Sequence, residues 1–418
     1  MLFVPTFTQT SGSGRARASD AMGFGVTCAD ALVDGLASHG VDVDVLDIAP
    51  TARQTAWTAR CLEAFDAAIG DSSSGNGSRE QARSGTRYDV VLAFHAFWPF
   101  TCDLRRILDD AGARLPLVTY THGTHWDPTD LFRFERYPRL RWADLGNLLA
   151  ADRVLLVSDY LHRTLLTSVN EAGPVAAKEI TARLRPVGLP LDLARIDAAR
   201  PTHSNSNSNS NSNSNSNGYG EDGGPVTVVF NHAPIPAKRP ELFAAAADEV
   251  LRRTSARIVV TRHFPATAPG GAALRELGRR YPGRVTLGED LPLDDYFRTL
   301  WHSDIQVSTA LNESLGVATL EAMATGNCPL LPATGAYPEI AAGDPDVLYD
   351  RTEDVADRLC ALVTDPARRR RTARRHSART RAAYAPERVA GAVRQVLEEA
   401  VGEAAKEVMG DAVGESPV

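Results

Sequence analysis

The sequence predicts an α/β protein made of two parallel-sheet domains in succession. Three observations carry this. Short apolar runs alternate with helical periods in both halves, glycine and proline punctuate the alternation, and one low-complexity tract interrupts it near the middle. Strands buried on both faces read as nearly continuous apolar runs, and parallel neighbours need a crossover long enough to hold a helix.

Residues 2–7 read as the first strand. Residues 24–39 have the helical period and stop at Gly40. Residues 41–48 alternate apolar and acidic side chains, as a half-buried strand does. A helix is expected over 51–69 and a Ser/Gly-rich loop over 71–85. Apolar strands follow at 88–94, 117–120 and 154–158, with helical stretches between them. The first domain is assigned to residues 1–185.

Residues 204–217 repeat Ser-Asn, and a glycine-rich stretch follows to 224. Apart from Tyr219 this tract has nothing apolar to bury, so it cannot offset the entropy of ordering. It is predicted to lie in a linker over 186–225. The strand–helix rhythm resumes with strands at 226–230, 258–261, 285–287, 305–308 and 329–331, giving a second domain over 226–385. A terminal helix over 386–408, expected to pack back on the first domain, and a frayed tail over 409–418 complete the chain.

Composition narrows the function. The chain has 418 residues, long enough for two cores, and 45 basic against 52 acidic residues give a net charge of −7. That balance argues against non-specific nucleic-acid binding as the main activity. Only Lys178, Lys238 and Lys406 are lysines, a bias toward arginine that codon preference explains. Five cysteines without a close pair argue against a zinc ribbon or disulfide framework and fit a reducing compartment. No run approaches the ~18 apolar residues of a membrane span, and the amino terminus lacks a basic, then apolar, leader. The expected location is the cytoplasm, with peripheral association at the inner membrane face left open.

The most informative stretch is Leu311-Asn-Glu-Ser-Leu-Gly-Val-Ala-Thr-Leu-Glu-Ala-Met-Ala-Thr-Gly-Asn-Cys-Pro-Leu-Leu. It leaves an apolar strand, runs into a helical pattern over 315–325, stops at Gly326 and enters another strand. Glu313 thus falls at a helix N-terminus and Glu321 inside the helix. Eight helical residues span ~12 Å. Paired carboxylates of a retaining glycosidase sit roughly 5–5.5 Å apart, so that chemistry is excluded. The span suits two carboxylates that accept hydroxyl hydrogen bonds at opposite ends of a nucleotide sugar. The helix end offers N–H groups and positive dipole to a diphosphate.

Glu313, seven residues, Glu321, then Gly326 and a proline-containing strand resemble the signature of the family 4 retaining glycosyltransferases. That resemblance implies two Rossmann-like domains facing across a cleft (the GT-B fold), with an acceptor domain first and a donor domain second. It also implies that Glu313 contacts the donor sugar and Glu321 the ribose, and that Ser314, Leu315 and Gly316 line the donor site between them. The segment Phe230-Asn-His-Ala-Pro-Ile-Pro-Ala-Lys-Arg-Pro-Glu-Leu-Phe follows the first strand of the second half. The family carries an arginine and, five residues later, a lysine here to hold the leaving diphosphate. Lys238 matches the lysine, but Ala233 stands at the arginine position; His232, Arg239 and Arg262 are candidates for the missing charge. The plain alternative for Lys238 is a solvent lysine at a helix start. The Asn-His start, Pro240, Phe243 and Tyr337-Pro-Glu-Ile resemble the tRNA-queuosine mannosyltransferase-like branch, which makes tRNA one conceivable acceptor.

In the first half, Thr119-Tyr-Thr-His-Gly-Thr-His-Trp-Asp follows a strand. The resemblance places His122 near the donor sugar and acceptor, as a catalytic candidate. His95 ends the preceding strand on the same side, where ligands gather in open α/β sheets. Both could equally be structural histidines. Gly12 and Gly14 form a candidate phosphate or acceptor loop, with Gly23-Phe-Gly25 as its rival, and a plain turn is the simpler reading of either. The eight arginines of residues 368–381 could bind RNA or anionic lipid, though a solvated helix face is the commoner use of such a run. No Asp-x-Asp motif follows a strand at a place suited to holding a metal diphosphate, so no metal and no cofactor are assigned. The substrate implied is a UDP-, GDP- or ADP-sugar, and the acceptor a glycan, lipid or small molecule. A nucleotide-sugar epimerase and a non-catalytic sugar-nucleotide-binding protein are the rival readings.

Overall fold

The computed structural model describes residues 1–6, 24–49, 51, 53–70, 87–97, 100–130, 134–201, 224–289 and 291–414. The chain divides into two compact units, Met1–Pro190 with Pro386–Val418, and Leu191–Ala385.

The first unit contains β1 (Leu2–Val4), α1 (Phe24–Ser38), β2 (Asp44–Val45), α2 (Gln54–Gly70), β3 (Val91–Ala93), α3 (Thr101–Asp110), β4 (Leu117–Thr121), α4 (Leu140–Ala150), β5 (Arg153–Leu156), α5 (Asp159–Ala172), α6 (Pro174–Thr181) and β6 (Leu184–Pro186). The strands form one sheet, ordered β2-β1-β3-β4-β5-β6, and every pairing is parallel. The core lies where α2 and α3 cover the sheet: Trp57, Phe65 and Leu104 pack on Leu2, Val4, Val91 and Leu117. The expected strand over 41–48 shrinks to the edge pair Asp44–Val45, because only β1 offers it a partner. The expected strand over 2–7 ends at Val4, with Pro5 and Thr6 outside it and Phe7 beyond the described residues.

The last helix, Pro386–Gly414, belongs to this first unit and packs along α1. Gly35 makes the approach possible, since a Cβ there would stand 2.8 Å from the Ala390 Cβ and 2.9 Å from the Pro386 carbonyl. His39 and Arg394 tie the two elements through His39 Nε2 to Glu387 O (2.7 Å) and Arg394 Nη1 to His39 O (3.2 Å).

The second unit contains α7 (Leu193–Ala198), β7 (Thr227–Phe230), α8 (Pro240–Arg253), β8 (Arg257–Val260), α9 (Gly271–Arg280), β9 (Val285–Leu287), α10 (Leu293–Trp301), β10 (Ile305–Val307), α11 (Val317–Ala324), β11 (Cys328–Pro332), α12 (Tyr337–Ile340), β12 (Leu348–Tyr349), α13 (Val355–Thr364) and α14 (Pro366–Ala383). Its sheet is also parallel, ordered β12-β11-β10-β7-β8-β9. The core centres on Val228, Phe230, Ile258, Ile305 and Leu330, with Phe243 of α8 stacked on Phe230 at 4.3 Å between ring centroids. The first part of the linker expected from residue 186 carries secondary structure. Pro186 closes β6, Leu189 and Leu191 are buried, and α7 is fastened by Trp301 Nε1 donating to Ile196 O at 2.7 Å. The Ser-Asn repeat lies outside the described residues.

The arginine-rich helix α14 is not a plain solvated face. Arg369 is buried and donates to Leu362 O and Val363 O; Arg375 and His376 meet Asp344; Arg381 meets Asp197 and Ala324 O. These guanidinium groups close carbonyl ends and bind carboxylates within the second unit.

Candidate active site

In each sheet two adjacent strands send their connections to opposite faces, and the crevice outside their carboxyl ends is where such folds bind ligands. In the second unit this switch lies between β7 and β10. The loop after β7 carries His232 and Lys238, and the loop after β10 carries Glu313, so both expected charged groups emerge at the switch.

The two loops are laced together. Thr309 Oγ1 donates to Lys238 O at 2.7 Å and Arg239 O at 3.1 Å, and Leu311 N donates to Ala237 O at 2.8 Å. Lys238 ends a single 3₁₀ turn, Pro236–Lys238, and Arg239 then turns left-handed at φ 47° before Pro240 starts α8. The result is an ion pair, with Lys238 Nζ 2.5 Å from Glu313 Oε1 and both side chains mostly shielded. Lys238 is therefore not a solvent lysine.

Glu313 is held from behind as well. Its carbonyl accepts from Ala336 N at 2.8 Å, and Gly335 lies so close that a Cβ there would sit 2.7 Å from that oxygen. Gly335 has φ +59°, so glycine serves both the backbone and the space.

The expected helix over 315–325 starts later, at Val317. Gly316 takes φ 88° as its N-cap, and with no side chain there the first turn has no side-chain cap. The ~12 Å spacing expected for unbroken helix therefore does not apply, because Ser314, Leu315 and Gly316 form a bend rather than helix. N–H groups at a helix start lack intrahelical acceptors and carry the positive end of the dipole. The Tyr337 ring walls this bend, 3.3 Å from where a Gly316 Cβ would lie, and its hydroxyl meets Ser308 Oγ at 2.6 Å. Tyr337-Pro-Glu-Ile thus has a structural task beside the loop.

Glu321, on the buried side of α11, is the most perturbed carboxyl of the site. Burial pushes it up to about 7, against the pull of the Tyr296 hydroxyl and of Arg262. Tyr296 donates to Glu321 Oε2 at 2.7 Å, and Asn231 Nδ2 donates in turn to Tyr296 Oη at 3.0 Å and to Ala318 O at 2.7 Å. Gln306 from the middle of β10 reaches both Asn231 (3.3 Å) and His232 (3.3 Å). His232 is driven well below its ordinary range by burial, then by Lys238 and Arg262. It is neutral, so its 3.9 Å approach to Glu313 is not an ion pair. Arg262, just beyond β8, lies 6.0 Å from the Tyr296 ring, and its buried Nε has no acceptor among the described residues. Its charge acts on Tyr296, Glu321 and His232 alike.

The structure brings Glu313, Glu321, Lys238, His232 and Arg262, all singled out from the sequence, together in the second unit. Sequence reasoning missed Tyr296 and Gln306. A glutamine inside an apolar strand was the available signal for Gln306, whereas Tyr296 looks like any core aromatic of an amphipathic helix.

In the first unit the switch lies between β1 and β3. His95 follows β3 and accepts from Phe97 N at 3.0 Å. His122 follows β4, with its ring 5.3 Å from that of His95 and stacked on Tyr120. His122 Nε2 meets Phe94 O at 2.6 Å; a carbonyl only accepts, so Nε2 carries the proton. Beyond it, buried Asp144 accepts from Thr124 Oγ1 at 2.6 Å and His125 N at 2.8 Å, and Asp127 accepts from Tyr160 Oη at 2.9 Å. These carboxylates, which the sequence did not single out, fix the loop that presents His122. Gly12, Gly14 and Gly23 lie outside the described residues. Among the described residues no three His, Cys, Asp or Glu side chains gather as a metal site, and no helix is long and apolar enough to cross a membrane.

Comparison with known proteins agrees with this architecture. Residues 257–395, which include Glu313 and Glu321, match a family model described as glycosyl transferase-like. Among solved structures, the chain resembles a trehalose 6-phosphate synthase of Burkholderia multivorans at TM-score 0.64 and 12% identity, covering 97% of this chain and 99% of that one. It resembles the sucrose-phosphate synthase of Thermosynechococcus elongatus at 0.61 and 14%, covering 95% and 98%. It also resembles the Anabaena protein HepE in complex with UDP at 0.57 and 14%, covering 95% and 99%. At such identities the likeness is one of fold. The fold is that of the GT-B glycosyltransferases, and within it residues 257–395 carry the glycosyl transferase-like pattern.

Proposed function

We propose that the chain transfers a glycosyl group, with retention, from a nucleoside diphosphate sugar held in the second unit. One observation carries the reading: Lys238 and Glu313 are clamped together at the sheet's switch point, beside an uncapped helix start, with Glu321 buried behind it. In this reading the acceptor oxygen bonds to the sugar C1 as the bond from C1 to the diphosphate breaks; the electron pair stays on the phosphate oxygen, and the acceptor's proton leaves with the diphosphate. Lys238, the N–H groups of Leu315 to Ala318 and Arg262 stabilise that charge. Glu313 aligns the sugar hydroxyls, and Glu321 accepts from the ribose. Arg262 is assigned the cation that Ala233 lacks, because its buried Nε has no protein acceptor among the described residues, whereas His232 is neutral. Retention and kinship with the family 4 enzymes rest on the Glu313–Glu321 pattern alone. No cofactor is assigned.

UDP is the first nucleotide to try, since the HepE neighbour was solved with it. GDP and ADP sugars are the alternatives. The acceptor is proposed to be a glycan, lipid or small molecule rather than tRNA, because Arg369, Arg375 and Arg381 of α14 are engaged with protein groups. The test is calorimetric binding of UDP, GDP, ADP and their sugar conjugates, followed by product analysis with acceptor pools. Binding of one nucleotide family with stereoretentive transfer supports the proposal. Binding without transfer to any acceptor favours a non-catalytic relative, a reading that Ala233 keeps in play. Conversion of the sugar nucleotide without acceptor identifies an epimerase.

A further inference from the structure

The first unit carries a surface that the site does not use. Residues 135–140 are all exposed, and Trp142 follows them on the first turn of α4. Tyr137 is 39% exposed, Leu140 38% and Trp142 55%. A tryptophan exposed to that degree is unusual, and large apolar side chains grouped at one place on a surface mark an interaction site. The same stretch carries Arg136, Arg139 and Arg141 against one acid, Glu135, in a chain whose net charge is −7. The group is braced rather than loose. Trp142 meets the buried Trp126 edge-on at 5.1 Å, the Arg141 guanidinium lies over both rings at 5.3 and 5.4 Å, and Trp126 Nε1 donates to Arg141 O at 2.8 Å. Arg136 lies over Tyr137 at 5.7 Å.

We propose that Tyr137, Leu140 and Trp142, ringed by Arg136 and Arg139, form a docking surface for an anionic lipid bilayer. Aromatic rings with polar tips settle at the headgroup level, an aliphatic side chain enters the acyl boundary, and guanidinium groups attract acidic headgroups. Two features favour lipid over nucleic acid. Arg141 covers one face of the Trp142 ring, which a stacking base would need, and exposed Leu140 has no use against a phosphate backbone. Buried Asp144, on the same helix, holds the Thr124–His125 loop, so the surface adjoins the end of the sheet that bears His122.

The test is flotation of the full chain with vesicles of phosphatidylcholine alone or with about 30% phosphatidylglycerol. Wild-type protein should float with the anionic vesicles only, and less as salt rises. Arg136→Glu with Arg139→Glu, and separately Trp142→Ala with Leu140→Ser, should each weaken binding on the order of tenfold or more. Melting temperature should hold for Arg136→Glu with Arg139→Glu, whose side chains lie at the surface, so that variant separates lost binding from the packing that Trp142→Ala removes against Trp126. The emission component lost in Trp142→Phe should be blue-shifted by anionic vesicles in the wild type. Absence of wild-type flotation, equal flotation of the variants, or tRNA binding that these substitutions abolish while vesicles stay unbound would overturn the proposal. Sugar-nucleotide binding is measured independently, so this outcome and that of the proposed activity are separable.

Discussion

Glu321→Gln should make the protein more stable at neutral and alkaline pH. The wild-type carboxyl is buried against Tyr296, Asn231 and the backbone of α11, and burial lifts it from 4.5 to about 7. Below about 4.5 it is protonated in both folded and unfolded chains and costs nothing. Between about 4.5 and 7 the unfolded chain releases the proton while the folded chain keeps it, so stability falls as pH rises. Above about 7 the whole penalty is present, roughly 3 kcal/mol, accumulated at about 1.36 kcal/mol per pH unit across that window. Glutamine has nearly the shape of the protonated acid, can still accept from Tyr296, and does not ionise. Urea titrations of both proteins from about pH 5 to pH 8 isolate the effect as a difference. The variant should lie within about 1 kcal/mol of wild type near pH 5 and gain roughly 3 kcal/mol by pH 8. A difference that stays flat across this range, or a variant less stable at pH 8, would refute the account of Glu321 as an acid whose burial outweighs its partners.

Lys238→Ala and Glu313→Gln should each lower kcat by about 10²–10³, and each should also lower the melting temperature, because the 2.5 Å pair is mostly shielded and either change leaves its partner unpaired. Near-wild-type turnover in both would remove them from the mechanism. Arg262→Ala should cost a similar factor in kcat/KM, and Ala233→Arg in that background should restore part of it, because residue 233 is exposed and has room for the longer side chain. No rescue together with no loss would show that Arg262 bears no diphosphate charge. Gly335→Ala and Gly343→Ala separate strain from collision. Both have positive φ, costing about 1–2 kcal/mol for alanine, but only at Gly335 would the new Cβ strike the Glu313 backbone. Thermal melts should therefore show loss in both, whereas activity should fall only in Gly335→Ala.

The strands were legible wherever both faces are covered. Residues 117–120 and 305–308 read as apolar runs because these strands lie buried inside a parallel sheet. The two-residue edge β12 was not legible, and β2 was read over 41–48 rather than 44–45, since a strand with one neighbour needs little apolar character. The start of α11 was misplaced because Leu315 and Gly316 continue the helical period, while glycine's tolerance of positive φ lets the backbone turn out of it. Lys238 and Glu313 could each be suspected from local pattern, but their 2.5 Å contact spans 75 residues and depends on strand order, which no local window contains. Tyr296 was hidden for the same reason. Its role is set by Glu321, 25 residues away, and its neighbours Phe297 and Leu300 look alike in the apolar stripe of α10.

The contact between α1 and the last helix also governs how the chain is made. Gly35 is shaped to receive Ala390, so the first unit is stitched from both ends of the polypeptide. At about 5–20 residues per second, a ribosome needs roughly 10–40 s to supply the intervening second unit. During that time α1 has emerged without the helix it packs along, and the second unit, all of it upstream of residue 386, is complete before the first unit is. A message that ends before codon 386 yields a product whose first unit never acquires its cover.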